Sequence, residues 1–338
     1  MRLGCLFSVL MPYATASWLL GQYSGLSVSA NTLHNWVQQY GAAALSALTT
    51  QLQAQADGQP PPPEVLTPAL LDLTLAVAAD GVMVPFRPVA QSAKGKTQWR
   101  EVKVGIFARL GQRLTKAGQA VPQLLQRRLV AVLGDIDQFI PLMKLEAHYQ
   151  SLNTAPQVVW LSDGGRGYWR VFRTCFAHCA IPVLDFYHAA GHLWRATAAL
   201  FDDAPQSAAA KAWFHRWRHQ LRHGQHHAVL ASLTALVNTE LFSGKSFTTL
   251  LQVQAYFQRH HRHIRYQSFA QRQLPLGSGM VESACKWLIQ QRFKGVGMRW
   301  SEPGFNHLLI LRLAWANHRF DDLFPRVQAA KQKYSHIP

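Results

Sequence analysis

Three carboxylates stand where their types and spacing suggest chemistry: Asp80, Asp163 and Glu282. Asp80 follows an apolar, β-rich run over residues 71–79, and Asp163 follows a short apolar run over 158–161. Both are read as strand-ending acids, and an acid at the end of an apolar strand is not an ordinary solvated charge. Each precedes a glycine, which lets backbone and ligand approach closely. Glu282 falls in the first turns of a helix expected to start at Ser278. Three converging oxygen donors suit Mg²⁺ or Mn²⁺. Two such ions about 3.5–4 Å apart would stabilise the attacking and leaving oxygens of an in-line phosphoryl transfer. A plainer reading stands beside this one. Asp-Gly pairs are common turn formers, and an acid favours a helix N-terminus.

A second constellation is Cys175, Cys179, His188 and His192, whose types could bind zinc. The loop between the two pairs is shorter than in ordinary fingers. Cysteines one helical turn apart on a buried helix also pack well, and packing is the preferred reading. Cys5 and Cys285 are read as packing residues too.

The third feature is charge. The chain has 338 residues, 34 Lys+Arg against 17 Asp+Glu, and a formal charge of +17. Hydrophobic residues make up 49%, which excludes a disordered polycation. Four cysteines exclude a disulfide scaffold and suit a reducing cytosol. A charge of this size predicts attraction to a polyanion, most often nucleic acid. Between Arg259 and Arg299 there are eight Lys/Arg and one acid, Glu282. Arg272, Lys286, Arg292, Lys294 and Arg299 belong to this set, with Trp300 among the interleaved aromatics. Such mixing suits phosphate neutralisation with stacking at unpaired strand ends. Lys94, Lys96, Arg100 and Lys103 form a second cluster that would grip DNA beside Asp80.

The elements that must position these residues follow from periodicity. Residues 3–56 carry no Lys, Arg, Asp or Glu. The apolar start imitates a secretory signal, but Pro12 and Tyr13 cut it short, and no membrane span accumulates. Residues 15–23 read as a helix and 25–27 as a turn. Ser29 caps a second helix, through Leu33, Trp36, Val37 and Tyr40, with Gly41 as its stop. The arrangement resembles a helix-turn-helix with Asn31, His34, Asn35 and Gln38 outward. Without Lys or Arg there, a helical hairpin packing on the main domain is preferred. Four prolines at 60–63 form a stiff linker. Strands are expected at 71–79, 82–87, 102–108, 129–133, 158–161 and 181–184, and helices at 137–149 and 168–179. From 187 to 271 the pattern is helical throughout. Helices over 278–293 and 304–317 complete the chain. A meander followed by alternating helices and strands is the order of a ribonuclease H-like fold: α/β, a mixed sheet flanked by helices, with an all-helical insertion and a small helical N-terminal region.

At this point a resemblance enters. Ala79-Asp80-Gly81-Val82-Met83-Val84-Pro85, Asp163-Gly164, Leu184-Asp185-Phe186-Tyr187-His188-Ala189 and Leu276-Gly277-Ser278-Gly279-Met280-Val281-Glu282-Ser283 look like segments of bacterial insertion-sequence transposases of the Mutator-like DDE group. The run from Arg292 to Trp300 extends the likeness, which covers roughly residues 71–322. It implies a ribonuclease H-like core with a helical insertion before the glutamate, and Asp80, Asp163 and Glu282 as the catalytic, metal-holding triad. It implies that Asp185 and His188 support the active site or position DNA. Physically, Asp185 could orient His188 through a hydrogen bond, or simply cap a helix. Two positions depart from the family pattern: Gly191 replaces an expected acid, and Gly164-Gly165-Arg166 follows Asp163. The chain also begins closer to its core than such enzymes usually do. A catalytically inactive, truncated DNA-binding derivative is therefore the alternative.

The resulting expectation assigns residues 1–56 to a helical region and 57–68 to a linker. Residues 69–186 form a core interrupted by an insertion at 187–272, which resumes at 273–325 before a tail at 326–338. The function expected is metal-dependent DNA strand cleavage and strand transfer, with Mg²⁺ or Mn²⁺. The partners are double-stranded DNA, both transposon ends and target, and a second copy of the chain in a homodimer or higher assembly. No membrane is involved, and a bacterial cytoplasmic, nucleoid-associated location is expected.

Overall fold

A computed structural model describes residues 1–88, 96–202, 204–239 and 241–324. The elements begin with helices α1 (Arg2–Leu10), α2 (Tyr13–Ser24), α3 (Ala30–Ala56) and α4 (Pro68–Leu71). Strands β1 (Leu75–Phe86), β2 (Gln98–Leu114) and β3 (Ala120–Leu133) lead to α5 (Ile136–Tyr149), β4 (Val158–Ser162), α6 (Arg166–Cys175) and β5 (Ala180–Leu184). Then come α7 (Phe186–Leu200), α8 (Ala208–Arg222), α9 (His226–Val237), α10 (Gly244–Arg259) and α11 (Tyr266–Gln271). The chain continues through α12 (Gly279–Ala284), a π-helical stretch (Cys285–Gln290), α13 (Gln291–Phe293) and α14 (Glu302–Ala316). The five strands make one mixed sheet in the order β3-β2-β1-β4-β5. β1 to β3 are an antiparallel meander, and β4 and β5 are parallel. With its flanking helices this is an α/β arrangement, a mixed sheet covered by helices, consistent with the ribonuclease H-like core that the order of elements predicts. Among the described residues no helix is long and apolar enough to cross a membrane.

The chain divides into two compact units. The first holds Met1–Gln157 and the residues from Met280 onward. In it β1 corrects the expectation that Asp80 ends a strand. The strand runs through Asp80-Gly81, with Asp80 opposite Val104, Gly81 opposite Lys103 and Phe86 opposite Gln98. Val82, Val84 and Phe86 alternate into the core, so burial and cross-strand pairing outweigh the turn preference of Asp-Gly.

Gly41 is the second correction. Ser29 caps α3 as expected, its hydroxyl accepting from Thr32 N at 3.1 Å, but the helix passes Gly41 and continues for 27 residues in all. A Cβ at Gly41 would lie 2.5 Å from the His307 Cβ. The glycine is where α3 crosses α14, not where it stops. His307 Nδ1 also lies 2.7 Å from Gln38 Oε1. Leu3, Phe7 and Trp36 join Ala16, Leu20 and Leu33 in one apolar cluster. The N-terminal helices thus pack as a helical bundle within their unit, and Gln38 is engaged there.

The proline-rich segment is tied down at Glu64. Its carboxylate accepts from Arg128 Nε at 3.0 Å and from Arg319 Nε at 2.8 Å. Burial works against the charge, but these two guanidiniums and Gln150 hold the carboxyl below its ordinary range. α5 opens with a capping box between Asp135 and Gln138.

The second unit is Val158–Gly279. β4 is buried at every position, and α6 sinks Tyr168, Trp169, Val171 and Phe172 into the core. After β5 this unit's described residues form helices α7 to α11.

Candidate active site

In the first unit, β1 carries Asp80 and α12 carries Glu282, both half-buried. Asp80 Oδ1 accepts from the Gly81 N–H at 2.7 Å. β1 packs against the π-helical stretch that follows Glu282. That stretch contains Cys285, which is buried. Burial pushes its thiol up to about 12, and the charges of Asp80 and Glu282 push the same way. Both acids therefore sit within electrostatic reach of one sulfur. The π-helical turn has a local cause for its stability. The Arg312 guanidinium, itself buried, donates to Leu288 O at 2.6 Å and to Trp287 O. A π segment displaces backbone carbonyls from the regular ladder, and π-bulges recur at functional sites.

In the second unit, Asp163 and Asp185 follow the neighbouring parallel strands β4 and β5. Asp163 Oδ1 accepts from Gly165 N at 2.9 Å, and its carbonyl accepts from the Tyr256 hydroxyl at 3.1 Å. Gly164 between them has φ +97°, and a Cβ there would lie 2.8 Å from Tyr256 Cε2. Both the backbone angle and the tyrosine demand glycine.

Asp185 is fully buried and fully bonded. Oδ1 accepts from His188 N at 2.7 Å and lies 3.4 Å from His188 Nδ1. Oδ2 accepts from the Ser278 hydroxyl at 2.7 Å and from the Ser278 N–H. Burial would raise this carboxyl, but the bonds from His188 and Ser278 outweigh it and hold it down at about 2. Asp185 thus does both things expected of it: it caps α7 and it faces the His188 ring. Ser278 is the partner that sequence reasoning missed.

His192 and Tyr256 complete this group. Their rings stack with centroids 3.7 Å apart. Burial lowers His192 to about 4, with help from Arg195 and His188 and against the pull of Asp163. Burial and the charges of Asp163 and Asp185 raise the Tyr256 phenol. At neutral pH both rings are therefore uncharged. No set of three drawn from Cys175, Cys179, His188 and His192 brings ligand atoms within 4.8 Å. Cys175 is buried and Cys179 exposed beyond the end of α6, so the two cysteines do not face one ion.

The expected DNA-contacting residues separate into groups. Lys96, Arg272, Lys286, Lys294 and Arg299 are exposed. Lys294 Nζ sits 5.4 Å above the exposed Trp99 ring. Arg100 is paired with Glu302 at 2.7 Å. Arg292 is a correction: it is 2% exposed and donates to Ser8 O at 2.9 Å, so burial removes it from the surface cations. Trp300 is also packed rather than free to stack on bases. Its Nε1 donates to Phe293 O at 2.9 Å, and its ring leans on Phe293 and Phe305. Lys94 and the tail at 326–338 lie outside the described residues.

No protein-family model matches the chain, and no curated protein sequence matches it. Among solved structures the chain is similar to the Drosophila P element transposase strand transfer complex, at 11% sequence identity and a TM-score of 0.21. That similarity covers 93% of this chain and 84% of the other.

Proposed function

We propose that the chain is a transposase that cuts DNA at the ends of a mobile element and joins the freed 3′ ends to target DNA. The observation that carries the reading is that β1, which holds Asp80, packs against the π-helical stretch that directly follows Glu282, so two acids far apart in sequence lie near the one buried thiol of Cys285. Asp163, the third acid of the resemblance, directly follows β4. Its backbone is clamped by Tyr256.

The donor chemistry fits Mg²⁺ or Mn²⁺, because half-buried carboxylate oxygens are hard ligands. Asp80, Asp163 and Glu282 would hold the metal. The chemistry it supplies when bound is activation of water and neutralisation of charge on the leaving oxygen. The remaining tasks belong to the chain. Asp185 stays ionised and holds the turn at Ser278 that leads into α12. Neutral His192 and Tyr256 fix the backbone at Asp163. Lys96, Arg272, Lys286, Lys294 and Arg299 neutralise phosphates of double-stranded DNA. Two copies of the chain act together on DNA, since two element ends must be joined in one reaction.

The test is strand transfer with a pre-cut element end and Mn²⁺. Wild type yields joined product, while Asp80→Asn, Asp163→Asn and Glu282→Gln yield none and still bind DNA. Product that survives Asp163→Asn contradicts the reading. DNA binding by wild type without cleavage or joining assigns the chain to the catalytically silent class.

A further inference from the structure

The second unit contains a cavity of about 290 Å³ lined by Arg166, Arg173 and Arg259 together with Trp169, His260 and His263. No acid lines it. A guanidinium only donates hydrogen bonds, and so does an indole N–H. Trp169 is 4% exposed, and its Nε1 is buried without a partner. His260 is 2% exposed and its Nε2 is also buried without a partner.

The aromatic wall is held firmly. Trp169 stacks on His263 with centroids 4.2 Å apart and planes 9° from parallel. His260 Nδ1 lies 3.2 Å from His263 Nδ1. Burial, then neighbouring histidine and arginine charges, lowers both imidazoles to about 4, so neither adds charge at pH 7. The positive charge on the wall therefore comes from three exposed arginines. α6 begins at the rim with Arg166, and its N-cap Gly165 offers no side chain. The positive end of that helix adds to the field. Gly164 also lines the cavity, which places it immediately beside Asp163.

Three guanidiniums, the unsatisfied buried Trp169 N–H and the lack of any acid on the wall call for a ligand made of acceptors. Arginine forks match the oxygens of phosphate in pairs. We propose that this cavity binds a phosphate group of a nucleic-acid strand, holding that strand next to Asp163. The inference rests on the transposase reading and gives it a strand-positioning site that none of the three catalytic acids provides.

The experiment measures duplex DNA affinity of the full chain at several salt concentrations. It compares wild type with the Arg166→Ala/Arg173→Ala/Arg259→Ala variant. A charge-matched control, Arg113→Ala/Lys116→Ala/Arg127→Ala, removes three exposed cations from β2, β3 and the turn between them. Each phosphate neutralised contributes about 0.9 to the slope of log K against log salt. The expected result is a slope shallower by about 1–3 for the cavity variant and by less than about 0.5 for the control. Trp169→Phe, which removes the N–H together with part of the indole ring that stacks on His263, is expected to weaken binding several-fold without changing the slope. Equal slopes for wild type and the cavity variant, or equal losses in both triple variants, overturn the proposal. Inorganic phosphate titrated without DNA is the second arm. Saturable binding lost in the cavity variant, with an unchanged DNA slope, reassigns the cavity to free phosphate and also overturns it. Strand transfer measured on the same wild-type sample separates the two claims. No transfer with the expected slopes counts against the transposase reading alone. Transfer with unchanged slopes counts against the cavity alone.

Discussion

The Ser278 hydroxyl donates to Asp185 Oδ2 at 2.7 Å across a separation of 93 positions. The Ser278 N–H joins it on the same oxygen. With His188 on the other oxygen, the carboxylate of Asp185 is saturated although no part of its side chain reaches solvent. A buried charge is tolerated only when it is bonded in this way.

That bonding makes stability depend on acid. The Asp185 carboxyl falls from 3.8 to about 2 in the folded chain. A depressed carboxyl stabilises the fold above its unfolded value and loses that contribution as pH drops toward the folded one. Ser278→Ala should therefore cost about 1–2 kcal/mol at pH 6. The cost should shrink between about pH 4 and pH 2. Urea unfolding at pH 6 and pH 2.5 checks it. A cost that does not change with pH would show that the hydroxyl does not act through the carboxylate.

Gly164 and Tyr256 give a second prediction. Gly164→Ala forces a side chain into φ +97° and against the tyrosine ring. The expected loss is about 2–3 kcal/mol. Tyr256→Phe removes only the bond to the Asp163 carbonyl and should cost about 1 kcal/mol. Thermal unfolding of the two variants tests the order. Equal small losses would mean that the loop after β4 adapts freely.

At Gly41 the sign is diagnostic. In an open helix Gly→Ala gains about 1 kcal/mol. Here the new methyl would meet His307 at 2.5 Å, so Gly41→Ala should destabilise by about 1–3 kcal/mol. A stabilised variant in a denaturant titration would place α3 and α14 farther apart than described.

Two arginines seven positions apart should behave oppositely. Arg292 is buried and lowered to about 10 by that burial against the favourable pull of Tyr13, while Arg299 is exposed. Arg292→Ala should lower stability by about 3 kcal/mol or more, because it opens a hole and frees Ser8 O. Arg299→Ala should leave the melting temperature within a degree or two and reduce the DNA salt slope by about 1. If Arg292→Ala changes the slope and not the melting temperature, the side chain is at the surface.

Much of this architecture was legible from local signals. Ser29 reads as a cap and is one. The meander before the alternating strands and helices is visible in the apolar runs, and the helix beginning near Ser278 is present. The failures share one physical cause: a partner distant in sequence. Gly41 looks like a stop until His307 lies against it. Asp80-Gly81 looks like a turn until Val104 and Lys103 pair with it. Arg292 looks like a surface cation until Ser8 accepts its bond. In the candidate site, Asp185 and His188 were legible because a cap is local. Ser278 and Tyr256 were not singled out for the site, since their partners lie 93 positions away in each case. The unpartnered Trp169 and His260 nitrogens have no sequence signature at all.

The proposed transposase activity requires Asp80, Asp163 and Glu282 to serve one metal site. Iron-mediated backbone cleavage tests it most directly. Fe²⁺ replaces Mg²⁺, and ascorbate with peroxide cuts the chain near the bound ion. Mass spectrometry of the fragments should find breaks beside positions 80, 163 and 282 together, all suppressed by excess Mg²⁺ and lost in Asp80→Asn. Breaks confined to only one or two of the three segments, or breaks that Mg²⁺ leaves unchanged, would contradict the account.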